Sequence, residues 1–171
     1  MESNILTTAP VTAVITSEQL LSHWQGHRQL TRKLIEKFPA DQFFTFSIGG
    51  MRPASALIME MIGMGSSGVH GLATDQWTPM TTLLAHTGKT TPQNKEEYLE
   101  LWDIVTEQID DEWSKISEAR FQETAKAFDQ YEGTVISLLL YFIDNEIHHR
   151  GQATVYLRAL GIEPPFFWDR Y

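Results

Sequence analysis

Hydrophobic residues recur every three or four positions in four long segments of the chain, which is the spacing of one face of an α-helix. The first segment runs from about Ser17 to Phe38 and the fourth from about Thr134 to Leu160. The second begins at Pro53, and the third begins after Asn94. Strand-like alternation is essentially absent. The pattern therefore predicts an all-α fold, a four-helix bundle with long connections after helices two and three.

Helix-capping residues mark several ends of these segments. Thr16 and Gln19 form a capping box at the start of the first helix, and Asn94 with Glu97 repeats the arrangement at the third. Gly161 stands where the last helix should stop. The third segment is the most regularly amphipathic, and its predicted buried residues are Tyr98, Leu101, Trp102, Val105, Ile109 and Trp113.

Two connections between the helices are unusually long. Residues 74–93 are rich in Thr, Gly and Pro and include a predicted helical turn at 80–86, whereas residues 117–133 have a mixed character. The sequence does not predict the last residue of the second helix, because a run of Gly and Ser at 63–68 weakens helix propensity. Long connections in a compact domain often carry function, so we expect these two to form the mouth of a site.

Composition and charge narrow the classes of protein that fit. The 171 residues predict one domain spanning residues 1–171, and a net charge of −9 with scattered basic residues argues against a nucleic-acid partner. There is no cysteine, so any metal must be held by nitrogen and oxygen ligands. No signal peptide is evident in residues 1–15 and no apolar run is long enough to span a bilayer, which predicts a cytoplasmic protein without membrane contact.

The last helix carries a dense run of polar side chains in a stretch otherwise typical of a buried helix. Asn145 and His149 are four residues apart and continue its apolar stripe, so they are expected to face the bundle centre. Asp144 and His148 form a second pair, rotated by about 100° onto the flank. Glu146 and His149 also make a Glu-x-x-His pair, but no second copy exists on another helix, which argues against a dinuclear metal site.

Short motifs near the last helix carry a resemblance to a known family. They are HHRGQ at 148–152, YLR at 156–158, LG at 160–161 and PP at 164–165. Together with GGMRP at 49–53, which leads into helix two, they resemble the DinB/YfiT-like superfamily of small bacterial helix bundles. The order of helices fits that family along nearly the whole chain.

The resemblance implies a metal site and a range of activities. Family members typically hold one divalent ion with three histidines, and the matching positions here are Glu60, Asn145 and His149. His148 is a further candidate ligand if the helix rotates slightly. The ion implied is Zn, Ni, Mn or Fe, with Asn the weakest ligand of the set. Relatives are often homodimers and include enzymes that act on thiols.

Three functions follow from this reasoning. The first is a metal-binding protein. If it is an enzyme, the resemblance implies a metal-dependent transferase or hydrolase that acts on a small thiol substrate. No catalytic residue is assigned. The second is a non-catalytic ligand-binding bundle with a degenerate metal site. The third is a structural dimerisation module.

Other residues carry simpler expectations. His27 should be a hydrogen-bonded core histidine, Arg150 should pair with an acidic residue, and Gly151 should permit close helix contact. The aromatic residues at 166–168 are expected to seal a bundle end or a dimer interface.

Overall fold

The computed structural model describes residues 14–170. Residues 1–13 and residue 171 lie outside that range. The prediction that residues 1–15 are not a signal peptide therefore falls mostly outside the described residues. The described elements are the helices α1 (Ser17–Lys37), α2 (Ala40–Phe43), α3 (Ala54–Thr74), α4 (Met80–Leu83), α5 (Lys95–Trp113) and α6 (Val135–Ala159), and the strands β1 (Thr124–Ala127) and β2 (Tyr131–Thr134). Two 3-10 turns occupy residues 85–87 and 118–122.

The four long helices pack as a bundle, as the sequence pattern predicts. Helix α1 packs against α5 and α6, and α3 packs against the same two helices from the other side. As a result, α1 and α3 lie on one diagonal of the bundle, and α6 has a neighbour on each side. None of the helices between residues 14 and 170 is long and apolar enough to cross a membrane.

The helix starts are stabilised by the side chains that the sequence indicates. The Thr16 hydroxyl accepts a hydrogen bond from the Gln19 backbone N–H at 3.2 Å, and the Gln19 side chain accepts one from the Thr16 N–H at 2.9 Å. Asn94 caps α5, and Thr134 caps α6 by accepting from the Ser137 N–H. All six residues predicted to be buried on α5 are buried, which confirms the phase of that helix.

Helix α3 runs straight through the glycine-rich stretch that left its end uncertain. A Cβ atom at Gly68 would overlap the Phe142 ring, and one at Gly71 would overlap the Trp77 ring. These two glycines are therefore places where an aromatic ring lies directly against the helix backbone, and this packing offsets their low helix propensity. The helix ends at Asp75, whose φ of 61° gives the left-handed cap more often made by glycine.

The connection between α5 and α6 contains a β-hairpin that the sequence analysis did not predict. Strands β1 and β2 are antiparallel, with Thr124 opposite Thr134 and Ala127 opposite Tyr131. Phe128 and Asp129 in the turn have φ values of 53° and 55°, as a tight hairpin turn requires. Four residues per strand are too few to show alternation, which is why the hydrophobic pattern missed them.

Residues 166–168 and Gly151 each differ from the role expected within the chain. The side chains of Phe166, Phe167 and Trp168 are more than half exposed, so they do not seal the end of the bundle. A Cβ atom at Gly151 would meet nothing within 4 Å, so this glycine does not mediate close helix contact within the described chain.

Candidate metal centre

The three residues matched to the family's metal ligands lie together between α3 and α6. Glu60 extends from α3, while Asn145 and His149 are one turn apart on α6. The Asn145 side-chain amide donates to Glu60 Oε1 at 3.1 Å, and His149 Nε2 lies 2.9 Å from the same oxygen. The structure therefore brings all three side chains to one point, centred on Oε1 of Glu60.

The orientation of the His149 ring is set by its other nitrogen. Nδ1 lies 2.9 Å from Gln152 Oε1, and the Gln152 amide nitrogen lies 3.1 Å from His148 Nε2. This arrangement directs the Gln152 oxygen toward His149, so Nδ1 carries the proton and donates it. Nε2 then lies 2.9 Å from the Glu60 carboxylate, and at this distance the two atoms need either a shared proton or a cation between them.

Glu60 is held as an anion by its neighbours. Burial by itself raises the pKa of Glu60, but hydrogen bonds from Asn145, Arg52 and His149 outweigh it and lower the pKa from 4.5 to about 2. Arg52, from the loop before α3, lies 2.5 Å from Glu60 Oε2. The backbone oxygen of Arg52 accepts a hydrogen bond from the Tyr156 hydroxyl at 2.8 Å, which ties this loop to α6. The sequence analysis did not single out Arg52. This residue lies in a loop, where helical periodicity cannot indicate which way a side chain points.

The residues present fit a weakly bound cation. Oδ1 of Asn145 is buried and has no hydrogen-bond partner among residues 14–170. The amide nitrogen of Asn145 faces Glu60 Oε1, so Oδ1 reaches the site only when the amide group is turned over. The carboxylate oxygen, the imidazole nitrogen and that amide oxygen would then form a mixed donor set that suits Zn, Mn, Fe or Ni. Within the described part of the chain, no cluster of three or more His, Asp or Glu side chains could hold a metal, so the amide oxygen would have to be the third ligand.

His148 lies outside this cluster. Its side chain is exposed and, with Tyr141, Asp144 and Asn145, lines a separate open pocket of about 280 Å³ on the flank of α6. The flank position is the one that helical phase predicts for His148.

An apolar groove of about 370 Å³ opens beside Glu60. Its walls come from α3 and from both long connections, and they include Gly63, Met64, Trp77, Met80 and Phe128. A Cβ atom at Gly63 would meet nothing within 4 Å, so this glycine leaves the groove open. Both long connections thus line this groove, and their role as the mouth of a site stays a prediction.

A second polar cluster occupies the deep core on the opposite side of α6, and sequence reasoning missed it. Glu146 is 2 % exposed and accepts a hydrogen bond from the Thr31 hydroxyl at 2.7 Å. The guanidinium groups of Arg28 and Arg150 each lie 3.7 Å from the Glu146 carboxylate. Asn145 and His149 were expected to face the bundle centre, and they face α3, with His149 buried and Asn145 half-buried. Glu146 and Arg150, one residue further along, are buried against α1. The pairing of Arg150 with an acidic residue is confirmed.

Aromatic and backbone groups complete this core cluster. The Arg28 guanidinium lies over the Trp102 ring at 3.4 Å and donates to the Trp102 backbone oxygen at 2.9 Å. Arg150 donates to Nδ1 of His27 at 2.8 Å and to the Thr31 hydroxyl at 3.1 Å. Two buried guanidiniums thus share one carboxylate, which leaves one positive charge in excess.

His27 is a buried, hydrogen-bonded core histidine, as predicted. Burial and then the neighbouring Arg150 lower the pKa of His27 from 6.5 to about 3, so the ring is neutral in the folded protein. The pKa of His27 is thus lower in the folded state than in the unfolded chain. Its contribution to stability is fully present above pH 6.5 and is lost as pH falls through this window toward 3.

A stability measurement against pH checks this assignment. Between pH 7 and pH 5, His27 should account for a loss of about 1–2 kcal/mol in the free energy of unfolding. His27→Gln should remove that pH-dependent part, whereas His86→Gln, at an exposed position, should retain it. Urea unfolding at both pH values measures the difference, and an identical pH dependence in all three proteins would refute the assignment.

Comparison with known proteins relates this helix bundle to a protein family. The DinB family model matches residues 7–169. A comparison with curated proteins finds no match. Among solved structures, the crystal structure of a DinB-like protein, YjoA from Bacillus subtilis, is similar with a TM-score of 0.70 and 23% sequence identity, covering 90% of this chain and 99% of that one. At this identity the likeness shows the fold alone, whereas the family model covers most of the sequence. The four-helix bundle described above therefore belongs to a member of the DinB family.

Proposed function

We propose that this protein binds a single divalent cation through Glu60, Asn145 and His149 and acts on a small molecule as a metal-dependent transferase or hydrolase. One observation carries the proposal. His149 Nε2 and Glu60 Oε1 lie 2.9 Å apart, while Oδ1 of Asn145 is buried without a partner. A cation between Nε2 and Oε1 would satisfy both of these atoms, and turning the Asn145 amide over would bring Oδ1 to the ion as a third ligand.

The residues around the site have separable roles. Gln152 fixes the tautomer of His149, as outer hydrogen-bond partners of metal-bound histidines commonly do. Arg52 holds Oε2 of Glu60 and leaves Oε1 free for the ion, while its charge weakens cation binding relative to a site of three histidines. When bound, the ion supplies a Lewis acid that lowers the pKa of a coordinated thiol or water.

The groove beside Glu60 supports a substrate with an apolar body. Its walls are mainly aromatic and methionine side chains, which pack against varied apolar shapes and exclude water. A low-molecular-weight thiol or thiol adduct is the substrate class that the family resemblance implies, and the groove has room for one.

Substitution at two adjacent histidines tests the metal proposal. In protein purified without a histidine tag, His149→Ala should weaken Zn²⁺ binding by at least about 100-fold, more than the loss of an outer hydrogen-bond partner causes. His148→Ala is the matched control: it removes only a hydrogen-bond partner of Gln152 and should weaken Zn²⁺ binding much less than His149→Ala does. Equilibrium dialysis measures both affinities. Equal loss in the two variants, or no binding by the unsubstituted protein, would contradict the proposal.

A second candidate function is supported by the Arg52–Glu60 ion pair. The guanidinium already neutralises the carboxylate, which is the arrangement expected of a metal-free polar pocket. Under this alternative the groove binds a small molecule without an ion. The dialysis experiment separates the two candidates, because the alternative predicts no stoichiometric Zn²⁺.

We also infer that the protein forms a homodimer. Apolar side chains that are exposed near the start of α6 and on β2, Leu140, Tyr141 and Tyr131, support an apolar face for a second copy. Light scattering across a range of concentrations measures the oligomeric state, and a monomer throughout would refute this inference.

A further inference from the structure

A cavity of about 460 Å³ lies on the opposite side of α6 from the candidate metal centre. Its walls come from Leu30 and Leu34 on α1, Ile147 and Gly151 on α6, and the C-terminal segment 164–168. This volume lies within the range of pockets that bind small ligands. The metal proposal does not use it.

Gly151 indicates that the cavity is kept open. Glycine in the interior of a helix is destabilising relative to alanine. At Gly68 and Gly71 an aromatic ring explains the glycine, but at Gly151 an added Cβ would meet nothing within 4 Å. No packing within the described chain requires this glycine, and the space above it belongs to the cavity.

The charged groups that line the cavity are cationic. Arg150 and Arg158 line it, and no acidic residue does, although the chain has a net charge of −9. Arg150 uses Nη1 and Nη2 to hold His27 and Thr31, but its Nε has no acceptor among residues 14–170. Behind it lies the core cluster of Arg28, Arg150 and Glu146, with its one uncompensated positive charge. An anion in the cavity would offset that charge.

Aromatic rings form the outer wall. Phe166 and Trp168 stack with their centroids 5.0 Å apart and their planes at 6°. The segment is fixed to α1 by an ion pair of 3.0 Å between Lys33 and Asp169. The rings are therefore held over the cavity by contacts that do not themselves fill it.

We propose that this cavity binds a small amphipathic carboxylate, with its apolar body between Gly151 and the Phe166–Trp168 wall and its carboxylate at Arg150 and Arg158. An isologous contact with a second copy would bring the cationic rims of the two cavities together, which is unfavourable. Charge complementarity therefore favours a small anion over self-association at this face.

Titration of the full chain with 4-phenylbutyrate tests the proposal by calorimetry. Gly151→Leu extends a side chain into the cavity from a position where an added Cβ meets nothing within 4 Å. It should weaken binding at least tenfold, with a melting temperature no lower than that of the unsubstituted protein. Gly63→Leu is the matched control, because it places the same side chain in the groove beside Glu60 and should leave binding unchanged. Arg158→Gln should weaken binding about tenfold, as should replacing the ligand by neutral 4-phenylbutanamide.

Three results would overturn the proposal. They are no measurable binding of 4-phenylbutyrate, equal binding by the Gly151→Leu protein, and equal binding of the neutral amide. If Gly151→Leu instead changes the oligomeric state in light scattering without any carboxylate binding, the face is an interface between copies. None of these results depends on whether Zn²⁺ binds at Glu60, so failure here is distinct from failure of the metal proposal.

Discussion

Glu146→Gln should lower the free energy of unfolding by about 3–5 kcal/mol, because it leaves two buried guanidinium groups without a counter-ion. Glutamine has nearly the same shape and can still accept the hydrogen bond from Thr31, so the loss reports mainly the missing charge. Arg28 and Arg150 depend on this single carboxylate, and both arginine side chains are buried. Chemical denaturation at pH 7 measures the change.

Glu36→Gln is the matched control for that experiment. Glu36 pairs with Arg32 on the same bundle, but both side chains are more than a third exposed, and exposed ion pairs contribute at most about 1 kcal/mol. If the Glu146 and Glu36 substitutions destabilise the protein equally, the buried cluster does not stabilise the bundle as described.

The double substitution Glu60→His and Asn145→His should raise the affinity for Zn²⁺ by about 100-fold or more. It replaces a carboxylate shared with Arg52 and a weakly coordinating amide by two imidazoles, beside the His149 already in place. The ion would then no longer compete with a guanidinium for its ligand. Equilibrium dialysis with a competing chelator measures the gain.

The control for the double substitution places a histidine beside the site. Asp144 is exposed on the flank of α6, so Asp144→His adds an imidazole one residue away from Asn145 without directing it at Glu60. This variant should show little gain. If the double substitution gains no affinity over it, the positions taken from the family resemblance are wrong.

The fold was largely predictable because helical period and capping are local properties. Thr16, Asn94 and Thr134 each cap the helix that the pattern predicts. The β-hairpin was not predictable, since its strands are short and its stability depends on packing under α3 and α6. The continuation of α3 through its glycines depended on the ring of Phe142, far away in sequence, and on the ring of Trp77, which folds back from just beyond the helix end. The hydrophobic pattern shows neither contact.

The sequence predicted which three residues form the candidate site but not the buried charged residues next to them. Asn145 and His149 are placed beside Glu60 as the resemblance implies. His149 is buried as predicted and Asn145 is half-buried, but α6 is covered on two sides, so its apolar stripe did not reveal the second buried pair. The residues one position further, Glu146 and Arg150, are charged, and charged side chains are rarely buried unless they are paired. Their partner Arg28 lies on another helix, where no sequence spacing reveals it.

Anomalous scattering from a crystal soaked in Zn²⁺ shows whether Glu60, Asn145 and His149 hold an ion. We expect one strong peak between α3 and α6, about 2.0–2.2 Å from Oε1 of Glu60 and from Nε2 of His149, with the Asn145 carbonyl oxygen turned toward it. A map without a peak at this place, in which Glu60 keeps its direct contacts with Arg52 and His149, would contradict it.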